Sequence, residues 1–346
     1  MSLKISDYNY HLPSNLIANR PSSVRDHCRL LTLDKSTSQL DHRHFFDLTK
    51  LLGPNDVLVL NQSKVFPARL FGRKASGGQF EILLLHPTAT SIWLAISKPR
   101  LLSGQNLIFD NRLTGTVLSS DKSTGQVEIK FNFSGAKFFQ ILNQIGYTPL
   151  PPYINSTDSE ANLRRQYQTV FAIDTGSAAA PTAGLHFTKK LLQSLKNNGV
   201  QIESLTLHVG LGTFQNLRPE NLATKTLHQE FYYIGPTTTA RLRRAKKSGK
   251  RIVAVGTTVV RALESAVLLS PKNTLTSGHH STQIFIYPPF KFQFVDALIT
   301  NFHLPASSLL MLVSAFAGRH QILTAYQTAI DHQYRFFSFG DAMFIY

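Results

Sequence analysis

Near residue 150 the hydrophobic period of this chain changes, and that change constrains the fold more than any other feature. Between about 65 and 150, short β-type runs recur: ARLFG, QFEILLL, SIWLAI, NLIF, LTGTVLS and QVEIKFN. Turn signals at Gly77-Gly78, Ser103-Gly104 and Thr124-Gly125 punctuate them, a pattern that predicts a small barrel or sandwich. Pro149, Pro151 and Pro152 close the region, and 153–180 is polar and loop-like. Beyond it strand and helix patterns alternate. Phe187–Asn198 reads as a helix stopped by Gly199, Ile202–Val209 as a strand, and 238–248 as a basic helix. Arg251–Val255 is a strand and 257–269 a helix; strand-like runs follow at 283–287 and 294–299. Helices over 306–317 and 321–332 and a strand near 342–346 complete the series.

Such alternation predicts α/β layers on a largely parallel sheet. Val57–Leu60, an unbroken β-branched and leucine run, is a further buried strand that ties the mixed elements of 1–60 to this half. The expected architecture is a layered α/β domain from residues 1–63 plus 151–346, with a β-barrel domain inserted at 64–150.

In the second half the apolar runs are interrupted or capped by polar motifs: PTAGLHF at 181–187, TLHVGLGTF at 206–214, VGTTVVRALE at 255–264, TNFHLP at 300–305 and YRFFSFGDAM at 334–343. A segment built only for a core does not place His, Asn, Thr, Arg and Asp beside Gly or Pro so regularly. Loops that end strands and open helices are where a rigid scaffold displays chemistry, so these motifs mark an active site. Its chemistry is narrowed by what is missing. Gly210-Leu211-Gly212 follows a strand, but Gln215 stands where a dinucleotide loop needs its third glycine, and Pro219 soon interrupts. The sequence has no GK[ST] phosphate loop, GxSxG elbow or HExxH. A zinc site would need His186, His208, His228 or His303 with a carboxylate such as Glu230, and their spacings match no ligand pair. Proton transfer is the alternative use of these imidazoles. Gly256, Thr257 and Thr258, at a strand-to-helix turn, make either a carboxylate or phosphate site or an ordinary helix cap. Arg261 and Glu264 share a face of that helix, as an ion pair or a ligand clamp.

The 346-residue chain carries 36 Lys and Arg against 20 Asp and Glu, a net charge of +16. That excess favours a polyanionic partner. The stretch Arg241, Arg243, Arg244, Lys246, Lys247, Lys250 and Arg251 has no acid within it and fits either a nucleic-acid backbone or a solvated face. The single cysteine, Cys28, excludes an internal disulfide and a multi-cysteine metal cluster. The opening residues lack the apolar core of a signal peptide, and the longest apolar stretch, Leu309 to Ala317, is too short for a bilayer. A soluble cytoplasmic protein is expected.

The five motifs, in this order, resemble those of the S-adenosylmethionine:tRNA ribosyltransferase-isomerase family of queuosine biosynthesis. YNYHLPSNLIANRPSSVRDHCRLL at 8–31, VLVLNQSKVFPARLFG at 57–72 and YQTVFA at 167–172 resemble its other blocks. The similarity runs from about residue 5 to the end. It implies an α/β domain with a small β-barrel, a monomer, and a reaction in which S-adenosylmethionine donates its ribosyl group. The implied acceptor is the 7-aminomethyl-7-deazaguanine base at the wobble position of the tRNA anticodon arm. The products would be epoxyqueuosine-tRNA, adenine and methionine, with no metal and no cofactor beyond the S-adenosylmethionine substrate. Gln62 and Lys64 stand where the family reads Asp and Arg, Pro289-Phe290 where it reads Gly-Tyr, and Phe339 where it reads Tyr. An S-adenosylmethionine-dependent RNA methyltransferase and a non-catalytic RNA-binding protein are the other classes considered; the first lacks its glycine-rich loop, the second leaves the polar loops unexplained.

The roles expected of individual residues are these. His186 is the first candidate general base and His208 the second, while Asn301 and His303 bind ribose hydroxyls. Gly256, Thr257 and Thr258 hold the methionine carboxylate; Arg261, Arg335 and Asp341 meet polar substrate groups. Arg20, Arg25, Arg243 and Arg244 are the candidate tRNA contacts.

Overall fold

The structure, a computed structural model, describes residues 4–151, 153–154, 156–210, 217 and 219–346. Its strands run, in chain order, β1 (Arg29–Leu33), β2 (Leu40–His44), β3 (Asp56–Asn61), β4 (Ser63–Val65), β5 (Arg69–Lys74), β6 (Gln79–Ala89), β7 (Ile92–Lys98), β8 (Asn106–Ile108), β9 (Thr114–Ser120) and β10 (Gln126–Phe131). The second half adds β11 (Asp174–Ser177), β12 (Gln201–His208), β13 (Thr226–Ile234), β14 (Arg251–Val255), β15 (Gly278–Ile284), β16 (Ala297–Asn301) and β17 (Ala342–Ile345).

The six β-type runs of the first half are β5 to β10, and they close into a barrel in the order β10-β7-β6-β5-β8-β9. Closure leaves no unpaired edge. Leu70, Ile82, Leu84, Ala95, Val117, Val127 and Ile129 fill its core. The helix Gly135–Ile145 lays Phe138, Ile141 and Leu142 onto the same cluster.

The other sheet has nine strands in the order β15-β13-β12-β3-β14-β16-β17-β1-β2. The expected parallel character holds at its centre, where β12, β3, β14 and β16 run parallel. Both flanks turn antiparallel: β13 against β12 and β15, β17 against β16, and β2 against β1. Strand β3 is buried along its whole length, its apolar Val57–Leu60 run flanked by Asp56 and Asn61. Alternate residues serve opposite faces. Val57, Val59, Ile252 and Ala254 join one core with Leu242, Leu263, Leu310 and Ile322 of the helices Pro236–Lys247, Thr257–Leu268, Ser308–Ala317 and Arg319–Asp331. Leu58, Leu60, Val253 and Val255 join the other, with Leu191 and Leu195 of the helix Lys189–Asn197. The helix Thr257–Leu268 is buried on nearly every side. Its Glu264, wholly inaccessible, accepts the main-chain amides of Gln293, Phe294 and Val295 at 2.8–3.0 Å. Burial raises the pKa of this carboxylate against the opposing pull of those amides. No helix among the described residues is long and apolar enough to cross a membrane.

Candidate active site

The four central strands end together, β3 at Asn61, β12 at His208, β14 at Val255 and β16 at Asn301. The carboxyl ends of parallel strands are where α/β sheets receive ligands. A cleft opens there between Ala180–Ala183, Val209, Gly256–Thr258, Thr300–His303, Leu309, Phe337 and Ser338. Four of the five sequence motifs therefore meet at one wall-to-wall site, and β12 brings Val209 of the fifth. Gly256 makes the turn from β14 into the helix at φ +89°, a left-handed conformation that favours glycine, and its amide bonds Ile299 O at 2.7 Å. The helix start carries no side-chain cap, so its first amides and the hydroxyls of Thr257 and Thr258 form the polar floor of the cleft. Asn61 fixes that floor. Its Oδ1 accepts the amides of Ser63 and Leu207, and its Nδ2 donates to Leu207 O at 3.0 Å and Thr258 Oγ1 at 3.4 Å.

Asn301 and His303 line the cleft, and both are heavily engaged. Asn301 Nδ2 donates to Phe337 O at 3.1 Å and faces His186 Nε2 at 3.0 Å, while Oδ1 accepts from Thr182 at 3.2 Å. One amide thus clamps the 182–186 turn to the loop after Arg335. His303 Nε2 lies 3.1 Å from Thr300 Oγ1, its amide bonds Tyr326 Oη, and its carbonyl accepts from Tyr10 Oη. Burial pushes the His303 pKa down to about 3. His186 is held the same way. Its Nδ1 lies 3.2 Å from Cys28 Sγ, and burial, with the nearby charges of Arg335 and Arg25, lowers its pKa to about 3. With Nε2 accepting the asparagine amide, Nδ1 carries the ring proton toward sulfur. No lone pair is left to take a substrate proton. Both ring nitrogens of His186 are thus engaged within the fold.

His208 is different. It faces a second cleft, on the outer side of β12, with Asp174, Thr206, Phe231, Tyr233 and His279. Its Nδ1 is buried without a hydrogen-bond partner. The ring lies so close to Gly176 (φ +149°) that a Cβ there would stand 2.8 Å from its Cε1. Burial lowers the His208 pKa and the nearby Asp174 carboxylate partly offsets the drop. Asp174 is itself oriented by Gln62 Nε2 at 2.9 Å and by the Thr206 hydroxyl.

Asp341 and Arg335 form a structural corner. Asp341, 2% exposed, accepts the amides of Arg29 and Arg335 at 2.9 and 2.8 Å and lies 3.4 Å from the Arg29 guanidinium. Arg335 donates to Arg20 O and Ser22 Oγ. These contacts pin the 20–29 segment against the loop that holds Asn301. Arg261 is buried and pairs with Glu230 at 2.5 Å; Glu230 also meets His228 Nε2 at 3.2 Å.

The four candidate tRNA residues differ in their surroundings. Arg25 is half-buried and donates to the carbonyls of Arg165 and Gln168. Burial lowers its pKa, and its cation is spent on the fold. Arg243 donates to Leu275 O at 2.7 Å. Arg243 and Arg244 end a helix that leads into the start of β14, about 16 Å from the cleft by the rise of a five-residue strand. Of the same basic stretch, Lys246 and Arg251 pair with Asp296 and Asp56. Arg20, Arg243 and Arg244 are all exposed.

Residues 211–216, which include Leu211–Phe214 of the TLHVGLGTF motif and Gln215, lie outside the described residues, as does Pro152. Among the described residues no group of three or more His, Cys, Asp or Glu is placed to hold a metal ion. The sequence reading missed Asn61, Asp174 and Thr182, saw Glu230 only as a metal ligand, and saw His228 as a metal ligand or a proton-transfer group. The spacing of His228 and Glu230, two apart on one strand, was the available signal.

A family model described as queuosine biosynthesis protein matches residues 5–345. An S-adenosylmethionine:tRNA ribosyltransferase-isomerase of Carboxydothermus hydrogenoformans is 47% identical over 345 residues, covering 99% of this chain and all of its own. That of Thermosipho melanesiensis is 45% identical over 346 residues, with the same coverage. The crystal structure of S-adenosylmethionine tRNA ribosyltransferase from Thermotoga maritima matches with a TM-score of 0.56 at 37% identity, over 99% of this chain and 100% of that one. Sequence and fold agree, and the chain belongs to the queuosine biosynthesis protein family.

Proposed function

We propose that this enzyme transfers and isomerises the ribosyl group of S-adenosylmethionine onto the 7-aminomethyl-7-deazaguanine base at the wobble position of tRNA. The products are epoxyqueuosine-tRNA, adenine and methionine. The observation that carries this reading is full-length identity of 45–47% to curated S-adenosylmethionine:tRNA ribosyltransferase-isomerases. A polar cleft at the carboxyl ends of the parallel strands supports it. The donor's ribosyl group lies in that cleft, its hydroxyls meeting Thr257, Thr258 and Ser338. The sulfonium acidifies the adjacent 5′ carbon, so removal of a proton there starts the sequence. His208, which lines the neighbouring cleft with Asp174 and whose buried Nδ1 has no hydrogen-bond partner, is the candidate base, and the donor's 5′ end would have to reach that side of β12. His186, Asn301 and Asp341 hold the walls. Residues 1–63 plus 151–346 act as the catalytic domain and 64–150 as an inserted barrel that helps seat the anticodon arm. The enzyme works as a cytoplasmic monomer.

The test is product analysis. Enzyme, S-adenosylmethionine and tRNA carrying the aminomethyl base are mixed and examined by mass spectrometry. Adenine and methionine, with the matching mass gain on the tRNA, are expected. S-Adenosylhomocysteine would establish a methyltransferase instead, and no turnover would leave only RNA binding.

A further inference from the structure

Among the described residues Arg261 is the one lysine or arginine in the buried class, 3% exposed. Only part of its guanidinium is used: Nη1 pairs with Glu230 Oε2 at 2.5 Å, while Nε and Nη2 are buried with no hydrogen-bond partner. Buried donors left unmet are costly and uncommon. The unmet pair is the side edge of the fork, the one that takes a carboxylate through two parallel hydrogen bonds. Its position is equally informative. Arg261 follows Thr257 by four residues on the same helix and so shares its face, about 6 Å further along the axis. It therefore lies one turn behind the polar floor of the cleft.

The charges select the ligand class. Arg261 is already balanced by Glu230, so a phosphate entering there would bring uncompensated charge into a buried site. A zwitterion adds none. His228 supplies the complementary contact: with its Nε2 hydrogen given to Glu230 at 3.2 Å, Nδ1 is left as an acceptor for an ammonium group.

We propose that Arg261 and His228 form the subsite for the α-amino-acid end of the sulfonium donor, Arg261 taking its carboxylate through Nε and Nη2. This deepens the proposed reaction and rests on S-adenosylmethionine being its donor. It also moves the carboxylate from the start of the helix, leaving Thr257 and Thr258 to the ribosyl hydroxyls.

The experiment is a calorimetric comparison of S-adenosylmethionine with its decarboxylated analogue. Wild type should bind the carboxylate-bearing donor about 10- to 150-fold more tightly, the range for a charged hydrogen-bonded pair. In Arg261→Lys, which keeps the charge but not the fork, that preference should drop several-fold. In the charge-neutral double variant Arg261→Gln/Glu230→Gln, which strands no buried ion, the two ligands should bind within about twofold, with folding checked by circular dichroism. A folded double variant that keeps the wild-type preference overturns the subsite. Wild type that binds both sulfonium compounds equally also overturns it, and leaves the donor assignment standing. If wild type binds neither compound, the donor reading falls and the subsite with it.

Discussion

His186 has both ring nitrogens engaged, whereas His208 Nδ1 has no hydrogen-bond partner, which makes His208 the better candidate for proton transfer. Replacing His208 with Gln should lower kcat by about 10²- to 10⁴-fold, the usual worth of a positioned acid–base group, with little change in the KM for S-adenosylmethionine. A base must be neutral to act. Because burial holds the His208 pKa below its ordinary 6.5, kcat should stay level down past pH 6.5 and fall only as pH drops through the lowered value. A wild-type profile whose acid limb has its midpoint above 6.5 would remove His208 from the role. At this scale the sequence showed which residue types gather but not their partners. His186 and His303 sit in equally polar motifs, yet Cys28, Thr300 and Asn301, distant in sequence or on another element, decide that both stay neutral and engaged.

Elements carry the site through their ends and turns. Gly176 bends β11 at φ +149° and leaves room for the His208 ring, so Gly176→Ala should displace the imidazole. Turnover should fall toward that of His208→Gln, while thermal melting of the purified variant moves much less. Glu264 ties three successive amides to the central helix. Glu264→Gln leaves at least one of them unmet and should cost about 2–3 kcal/mol, read by urea denaturation. The barrel was legible because its strands alternate cleanly and its turns carry glycine. Strand β13 was not, since Glu230 takes an inward position where the pattern calls for an apolar residue. The rule broke where the polar cluster sits, as functional sites tend to do. The edge strand β2, with mixed Asp, His and Arg, had no buried face to announce it.

For the molecule as a whole, the two buried imidazoles set a pH limit on stability. Both have pKa values near 3 when folded and 6.5 when exposed, so the penalty is absent above pH 6.5. It grows by about 1.4 kcal/mol per unit for each histidine as pH falls toward 3, where only the unfolded chain has taken up the protons. Denaturation midpoints measured between pH 7 and 4.5 should therefore fall steadily. Charge predicts the nucleic-acid face less directly, because most of the basic stretch at 241–251 is spent on carbonyls and carboxylates away from the cleft. Arg20→Ala should weaken tRNA binding and reduce its salt dependence by about one unit of slope, whereas Arg244→Ala should change neither, as filter binding across a salt series would show.

The sheet order has one more outcome. β1 and β2 reach the rest of the sheet only through β17, the latest strand in the sequence. On a ribosome, Leu30, Leu31 and Leu33 wait through the synthesis of some three hundred residues before their strand gains that neighbour. An unpaired apolar edge held open so long is a natural client for chaperones, and a chain released before Ala342 would meet them with no means of letting go.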